Sequence, residues 1–535
     1  MGTCLLAVDV GTLSARAGLF AADGEVLATA AASFTLLKPE AHHAVYRMDE
    51  IWAAVADAVG AAVAQSRRDP STVAGLAFDA TSSLAVTYTG APPLDGDADV
   101  FCWMDHRGEA EALEIDATGD PYLDYVGGSI SPEVHLPKLL WLKRHRPEAW
   151  ARLTGARDLV DELAKRTTGV EAHSLCGFSS KWPYLPGRGG WRRGLLNRLG
   201  IGELPRLGGL ANTPLPVGSV YGRLLPAAAA ELRLPEGIPV AVGLIDAEAG
   251  TLGVLGKGYR TRANRTLSMI GGTSNSCLAF AVEERHIAGT WGPSRDAVFP
   301  GYWMHEAGQT LAGAALDAVL AHHAGGPHAA SAENHIAVAR DVVGLLDGEG
   351  PHFAARRHIV PDWLGNRSPL GDGRARALVT GLGEETTRRD FLETYYATAR
   401  ALALQARHIV EHLNANGYGI DRVALAGGQL KNPLLVRLYR DALGADLVLS
   451  DHPETVLLGT AMVASVAVGW SADLFAALDR MAPRQAVAPA DPDWRGPHEV
   501  AYRIYRKLFG LRNEIEADAS AIAAPTAREP TTSTA

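Results

Sequence analysis

The hydrophobic pattern at the start of the chain predicts strands in succession. Residues 4–10 (CLLAVDV) are almost all apolar or β-branched, which is typical of a buried strand. A second apolar segment, 15–20, follows a Gly-Thr turn. The dipeptide Asp23-Gly24 is a strong hairpin signal, and a third segment at 25–30 leaves it.

Further along, helical periodicity alternates with short apolar runs. A helical face is formed by Trp52, Val55, Val59 and Val63, and Asp49 is the expected N-cap of that helix. Asp390 and Glu393 resemble a capping box and predict the start of a long helix. Buried strands are predicted at 73–78, 238–245, 267–270 and 422–426. This alternation favours an α/β fold.

The length of the chain predicts more than one domain. A single hydrophobic core stops growing at roughly 250–300 residues, and this chain has 535. The Gly-rich segment Gly253–Gly258 is the expected junction, which gives domains at 1–257 and 258–518. Residues 519–535 are small and polar, and we expect them to form a disordered tail.

Composition narrows the classes of function. The formal net charge is −10 and no block of Lys and Arg occurs, which disfavours a nucleic-acid-binding face. The chain has no long apolar run and no basic leader, so we expect no membrane span and no signal peptide. The four cysteines include no C-x-x-C pair, which favours free thiols in a reducing cytoplasm over a disulfide framework or a zinc site.

Three small-residue loops that follow predicted strands could together bind a nucleotide. The first contains Asp9, Gly11, Thr12, Ser14 and Arg16. Its N–H groups and hydroxyls can face phosphate, and Asp9 could hold Mg²⁺ directly or through water. Taken alone, this segment is explained about equally well by a plain hairpin turn.

The other two loops repeat this arrangement later in the chain. The second consists of Gly271, Gly272, Thr273 and Ser274, and the third contains Gly427, Gly428, Gln429 and Asn432. Each by itself could be an ordinary turn. However, the chain has neither a Walker-type phosphate loop nor a dinucleotide fingerprint after a strand, and the set of three in order indicates a nucleotide site.

Asp246 is the candidate catalytic base. It ends a predicted buried strand and precedes a small-residue helix start. Phosphorylation of a hydroxyl needs a carboxylate placed to accept the proton, and that carboxylate need not be a strong base. Asp246 could also cap the helix, and both roles are compatible.

Further short segments, taken with these loops, resemble the FGGY-type carbohydrate kinases over about residues 1–480. They are FDATSSL (78–84), WMDHR (103–107), PKLLWL (137–142), SLC (174–176) with Lys181-Trp182, EAGQ (306–309) and PDWLGNRSPL (361–370). The resemblance is closest to the pentulose kinases described as D-ribulokinases. It implies two α/β domains of the actin-like ATPase (ribonuclease H-like) fold, with a nucleotide and sugar cleft between them.

The resemblance also implies roles for residues. The three loops would bind ATP·Mg²⁺, with Gln309 near the nucleotide, and Asp246 would be the base. Sugar contacts would come from Ala80, Thr81, Trp103, Asp105, Lys181, Asp246 and Glu306. For Trp103 and Asp105 a core Trp with a nearby ion pair is the alternative, and Lys181 could equally lie beside a surface aromatic.

The implied reaction is transfer of phosphate from ATP to a ketose or polyol, with D-ribulose as the leading acceptor. L-ribulose, xylulose, ribitol and four-carbon sugars remain open, and a homodimer is expected. The chain departs from the subgroup at Glu248, where the subgroup has His, so ketose preference stays open. A nucleotide-gated binding protein of the same architecture is the alternative from another class.

Overall fold

A computed structural model describes residues 2–384 and 386–523, with side chains given through residue 519. Two seven-stranded sheets, one in each half of the chain, form its framework, and helices pack against them. The predicted α/β class is confirmed.

The described part of the first half contains thirteen strands and nine α-helices. Its strands are β1 (Cys4–Val10), β2 (Ser14–Phe20), β3 (Val26–Ser33), β4 (Val45–Tyr46), β5 (Val73–Ala80), β6 (Leu84–Tyr88), β7 (Val100–Phe101), β8 (Leu153–Asp158), β9 (Tyr184–Leu185), β10 (Gly190–Trp191), β11 (Val220–Arg223), β12 (Pro239–Ala241) and β13 (Leu244–Ile245). Its helices are α1 (Met48–Ser66), α2 (Glu109–Ala117), α3 (His135–His145), α4 (Pro147–Trp150), α5 (Leu159–Thr168), α6 (Leu175–Lys181), α7 (Arg193–Arg198), α8 (Pro226–Leu232) and α9 (Asp246–Val254).

The second half continues with strands and longer helices. Its strands are β14 (Thr266–Gly271), β15 (Asn275–Ala281), β16 (Trp291–Arg295), β17 (Trp303–Gln309), β18 (His358–Val360), β19 (Leu378–Thr380), β20 (Arg422–Gly427), β21 (Asp446–Ser450) and β22 (Gln485–Ala488). Its helices are α10 (Gly313–His322), α11 (Ala332–Glu349), α12 (Arg388–Ala415), α13 (Pro433–Ala442), α14 (Thr455–Ala467), α15 (Leu474–Met481) and α16 (Pro492–Ala523).

The two large sheets share one topology. The first has the order β11-β12-β5-β1-β2-β3, with β13 beside β5, and the second has the order β16-β17-β15-β14-β20-β21-β22. In each, an antiparallel meander is extended by parallel strands on one side, namely β5 next to β1 and β20 next to β14. Parallel strands end at the same edge of a sheet, so the loops after β1 and β5 meet, and so do those after β14 and β20.

Several helix and strand boundaries in the structure differ from the predicted ones. The residue before α1 is Arg47, and Asp49 lies in the first turn of the helix rather than at its N-cap. Helix α12 is capped by Thr387, whose side chain accepts a hydrogen bond from the Asp390 N–H. The predicted strand 238–245 is interrupted at Gly243, where a Cβ would lie 2.2 Å from the Phe78 carbonyl oxygen.

The C-terminal boundary also moves. Helix α16 continues through Ala523, so the expected disordered tail cannot begin at residue 519. Residues 524–535 lie outside the described part of the chain. Within the described residues, none of the helices is long and apolar enough to cross a membrane.

A pair of crossed helices, α9 and α14, joins the two sheets. A Cβ at Gly253 would lie 1.7 Å from the Thr455 carbonyl oxygen, and one at Gly459 would lie 1.9 Å from that of Ala249. The two backbones are therefore in direct contact. Helix α14 also packs on β1 and β5, so the later half of the chain supplies a helix to the first sheet. Part of the predicted junction, Gly253, lies inside this crossing.

Candidate active site

The end of β1 places a buried carboxylate beside a cation. Asp9 is buried, and Arg16 Nε donates to its Oδ2 at 2.6 Å. The Arg16 guanidinium also lies 3.4 Å from Glu454 Oε2, just before α14. The turn between β1 and β2 is closed by Gly11 N–H donating to the Ser14 carbonyl oxygen at 3.0 Å. The first predicted loop is thus anchored to both halves of the chain.

Asp79 is a site residue that the sequence analysis did not single out. It pairs with Asp9 in the register of β1 and β5 and is fully buried. Thr460 of α14 donates a hydrogen bond to its Oδ2, whereas Oδ1 has no partner among the described residues. Burial and the neighbouring Asp9 charge raise the pKa of Asp79 well above its usual value. The signal in the sequence was its position at the end of a buried strand.

The second and third loops touch each other. Gly427 has φ +93, and a Cβ there would lie 2.3 Å from the Gly271 carbonyl oxygen, so only glycine fits. Gln429 Nε2 donates to Asn275 Oδ1 at 2.6 Å, which ties the third loop to the strand after the second. Gly428, by contrast, is exposed and has nothing near its Cβ position. The contacts of Gly427 and Gln429 therefore hold the two loops together, while Gly428 between them remains exposed.

Two residues predicted at the nucleotide use their polar groups inside the protein. Gln309 is fully buried and donates from Nε2 to the Leu402 carbonyl oxygen and to Gln405 Oε1. Its Oε1 accepts from Asn275 Nδ2. Asn432 caps α13 by accepting from two backbone N–H groups, and its Nδ2 donates to Tyr395 Oη at 3.0 Å. The Gln309 and Asn432 side chains therefore stabilise the loops through hydrogen bonds within the protein.

Asp246 is the first residue of α9 and remains partly exposed. Its Oδ1 accepts the Ala247 N–H at 2.8 Å, so it is not the N-cap, which is Ile245. Burial of its surroundings, together with the Asp9 charge, raises the pKa of Asp246 to about 7. A carboxylate with such a pKa is well matched to accepting a proton near neutral pH.

Lys181 and Glu306 form a buried ion pair between the two halves of the chain. Lys181 Nζ lies 3.0 Å from Glu306 Oε2, and both side chains are 8% exposed. The ammonium group also lies 4.8 Å from the centre of the Trp291 ring, within cation–π range. The Glu306 charge raises the pKa of Lys181 despite its burial. The structure thus brings together two of the predicted sugar residues.

Trp103 lies next to the first predicted loop. Its Nε1 donates to Thr12 Oγ1 at 3.1 Å, and the ring is partly exposed. Ala80 and Thr81 are buried at the end of β5, where Thr81 N–H donates to the Val10 carbonyl oxygen at 2.9 Å. The end of β1, which leads into the first loop, is therefore hydrogen-bonded to the end of β5, which carries these predicted sugar residues.

Asp105 has both of its carboxylate oxygens engaged inside the protein. It is fully buried, and its carboxylate accepts from the Ala44 N–H at 2.7 Å and from the Arg107 guanidinium at 2.8 Å. Arg107 in turn lies 4.9 Å from the Trp141 ring. The assignment of Asp105 to the sugar is therefore replaced by the alternative, a core ion pair.

Glu248 lies on the first turn of α9, two residues after Asp246. It is fully buried, and neither carboxylate oxygen has a hydrogen-bond partner among the described residues. Burial, followed by the Glu306 charge, raises the pKa of Glu248 to about 8. This position, where the sequence departs from the D-ribulokinase pattern, thus contains a carboxyl group that favours its neutral form at pH 7.

Comparison with known proteins identifies the family. Residues 4–253 match the N-terminal domain and residues 267–468 the C-terminal domain of the FGGY family of carbohydrate kinases. An FGGY carbohydrate kinase domain-containing protein from Homo sapiens is 35% identical, covering 95% of this chain and 96% of the relative. A D-ribulokinase of Saccharomyces cerevisiae is 30% identical, covering 86% of this chain and 71% of the relative.

Solved structures support the same fold. A ligand-bound xylulose kinase from Lactobacillus acidophilus superposes with a TM-score of 0.78 at 16% identity, covering 97% of this chain and all of that chain. The two family matches and the two related sheets define a two-domain α/β kinase. The chain belongs to the FGGY family of carbohydrate kinases and is an ATP-dependent sugar kinase rather than a nucleotide-gated binding protein.

Proposed function

We propose that the protein phosphorylates a ketopentose at its terminal hydroxyl, converting D-ribulose to D-ribulose 5-phosphate. The observation that supports this most is the site around Asp246, with the buried Lys181–Glu306 pair beside it. The resemblance to a D-ribulokinase over 86% of this chain favours a pentulose over other acceptors. L-ribulose, xylulose, ribitol and four-carbon sugars are the competing acceptors.

Asp246 is the proposed base. Its partly exposed carboxylate would accept the proton of the C5 hydroxyl as that oxygen attacks the terminal phosphorus of ATP. The bond between that phosphorus and the bridging oxygen breaks, and ADP leaves with the electron pair. Lys181 and Glu306 would hold the sugar hydroxyls, and the partly exposed Trp103 ring would pack on the carbon chain. Each of these groups fixes the acceptor relative to Asp246.

The three loops fit ATP·Mg²⁺. Gly272 and Gly428 are exposed. Gly428 has open space at its Cβ position, and at Gly272 only the Ser274 carbonyl oxygen lies near, at 4.0 Å, so phosphates and a flat ring can approach the backbone. Asp9 and Asp79 are neighbours in the register of β1 and β5, and Asp79 Oδ1 accepts no hydrogen bond from any of the described residues. One or two carboxylates with several waters suit Mg²⁺, which supplies charge neutralisation on the transferred phosphate. We assign the magnesium ion to Asp9, which would bind it through water, with the Asp79 carboxylate next to Asp9.

A panel of acceptors tests the substrate. ADP release would be measured with D-ribulose, L-ribulose, D-xylulose, ribitol and erythrulose, and compared as kcat/KM. D-ribulose should lead by about tenfold or more. A competing acceptor whose hydroxyl is missing or differently placed leaves a buried polar group of the site unpaired, and a site rejects such an acceptor more strongly than one that lacks a methylene. The same panel on Glu248→His, which restores the D-ribulokinase pattern, shows whether this residue sets the ranking. A leading substrate other than D-ribulose contradicts the proposal and leaves the kinase class intact.

The pH profile tests the base. Because Asp246 must be ionised to accept a proton and its pKa is about 7, kcat/KM for the sugar should rise with pH and level off above about 7. Below that pH we expect about a tenfold loss per pH unit. Glu248→Gln is the control, since it removes the other raised carboxyl group of the site. If the fall of kcat/KM at low pH disappears in Glu248→Gln, that fall is due to Glu248, and the assignment to Asp246 is contradicted.

A further inference from the structure

Arg367 is a buried arginine whose guanidinium group is poorly paired. Its side chain is 9% exposed, and it belongs to the segment PDWLGNRSPL (361–370), which resembles the FGGY kinases. Among the described residues its hydrogen-bond partner is Glu133 alone, whose two carboxylate oxygens both lie 3.4 Å from Arg367 Nη2. Charge-assisted pairs usually close to about 2.7–2.9 Å. An arginine has five N–H donors, so most of those of Arg367 remain available to a ligand.

The backbone around Arg367 is held in place by its two neighbours. Asn366 Nδ2 donates to Asp362 Oδ1 at 3.0 Å. On the other side, Ser368 Oγ donates to the Gly289 carbonyl oxygen at 2.8 Å. Both flanking side chains are buried. The protein therefore fixes the position of this arginine while giving its guanidinium only one weak partner.

Arg367 lies beside the proposed sugar residues. A Cβ at Gly308 would lie 3.0 Å from Arg367 Cδ, so the arginine crosses β17 at this glycine. Glu306 is two residues earlier on β17, and residues two apart on a strand share a face. The Arg367 guanidinium also lies 5.2 Å from the centre of the Trp291 ring, and Lys181 Nζ lies 4.8 Å from the same centre. Arg367 and the Lys181–Glu306 pair therefore belong to one cluster.

The proposed reaction requires the open-chain form of the sugar. A ketopentose closes its five-membered ring through the oxygen on C5, so this oxygen is a free hydroxyl only when the ring is open and C2 is a carbonyl. A carbonyl oxygen accepts hydrogen bonds and cannot donate them, and burying it without a donor is costly. A guanidinium donates and cannot accept. A buried guanidinium with unused donors therefore suits the C2 carbonyl oxygen.

We infer that Arg367 binds the C2 carbonyl oxygen of the open-chain acceptor and gives the enzyme a preference for ketoses over polyols. This inference rests on the proposed phosphorylation of a ketopentose at its terminal hydroxyl. Lys181 and Glu306 together offer a donor and an acceptor, which suits sugar hydroxyls. In a polyol, C2 carries a hydroxyl whose hydrogen finds no acceptor on the guanidinium. Arg367 is thus a specificity-determining residue of the acceptor site.

Comparison of D-ribulose with ribitol tests the inference, because ribitol differs from D-ribulose in having a hydroxyl at C2. Arg367→Met should lower kcat/KM for D-ribulose by about 10²-fold, since a hydrogen bond from a charged group is lost. The value for ribitol should fall by less, so the ketose-to-polyol ratio should fall by about tenfold or more. The KM for ATP should stay within a few-fold of wild type. Arg367→Lys keeps the charge and loses the planar fork, and it should give an intermediate ratio.

Two further variants separate recognition from structure. Glu133→Gln removes the partner of Arg367 and keeps the guanidinium, so the ratio should stay near that of wild type. Arg285→Met is the matched control, because Arg285 also pairs with a glutamate and lies 4.9 Å from an aromatic ring, that of Tyr418, and neither residue belongs to the site. It should leave both kcat/KM values unchanged. Thermal unfolding of each variant establishes that it is folded.

The inference is overturned if folded Arg367→Met keeps the wild-type ratio or, where this variant does not fold, if Arg367→Lys keeps it. It is also overturned if Glu133→Gln lowers the ratio as much as Arg367→Met, because the pair would then be a structural bridge between the two halves of the chain. A wild type that prefers another ketose contradicts the proposed function, and the ratio is then measured with that ketose and its polyol. A wild type that prefers a polyol contradicts both.

Discussion

Asp246→Asn should lower kcat by about 10²–10⁴-fold and leave the KM for the sugar within a few-fold of wild type. Asparagine keeps the size of the side chain and can still accept the Ala247 N–H, which the aspartate accepts at 2.8 Å. It cannot take up the hydroxyl proton, so binding persists while the chemical step fails. Single-turnover phosphorylation of D-ribulose, measured beside sugar affinity, separates these two quantities.

The matched control for this variant is Asp57→Asn, on the exposed face of α1. It makes the same chemical change away from the cleft and should leave kcat unchanged. Thermal unfolding of both proteins establishes that Asp246→Asn is folded. Near-normal turnover in folded Asp246→Asn would remove Asp246 from the role of base, and a large rise in the sugar KM alone would make it a binding residue.

Lys181→Met should have the second-largest effect. It removes the cation 3.0 Å from Glu306 and leaves that buried carboxylate next to Glu248. Loss of one partner of a buried pair destabilises proteins by about 3–5 kcal/mol, so we expect a comparable fall in the free energy of unfolding. Sugar kcat/KM should fall by about 10²-fold or more, while the KM for ATP changes little, because Lys181 lies on the sugar side. Steady-state kinetics and denaturant unfolding measure the two effects.

The double variant Lys181→Met with Glu306→Gln separates stability from recognition. It removes the unpaired charge, so it should regain most of the lost stability while sugar kcat/KM stays low. Lys143→Met is the control, since Lys143 pairs with Glu203 at a partly exposed surface. Such a pair contributes at most about 1 kcal/mol. If Lys181→Met retains its affinity for the sugar, Lys181 stabilises the folded protein and does not bind the substrate.

Short-range patterns predicted much of this protein. The strands at 4–10 and 422–426 and the glycine turns after β1, β14 and β20 are observed as expected. Local sequence determines such features, because turn geometry and side-chain alternation involve neighbouring residues. It also located Asp246, since a carboxylate between a buried strand and a helix needs no long-range information to be recognised.

Other features depended on contacts distant in sequence. Asp105 and Arg107 are close in the chain, but only the fold shows that both turn into the core. Asp79 joins the site because β5 lies beside β1 and because α14, nearly 400 positions later, supplies Thr460. Glu248 stood out in the sequence only as a departure from the subgroup pattern, and only the fold shows that its carboxylate is buried without a hydrogen-bond partner among the described residues.

The sequence by itself determined the α/β class, the family, the three loops and the candidate base. The tertiary structure decided which polar side chains remain available to ligands. A local motif specifies where a loop turns, but the availability of a carboxylate or amide depends on which donors distant segments bring to it. That is why Gln309 and Asp105 proved to be committed inside the protein while Asp246 remained partly exposed.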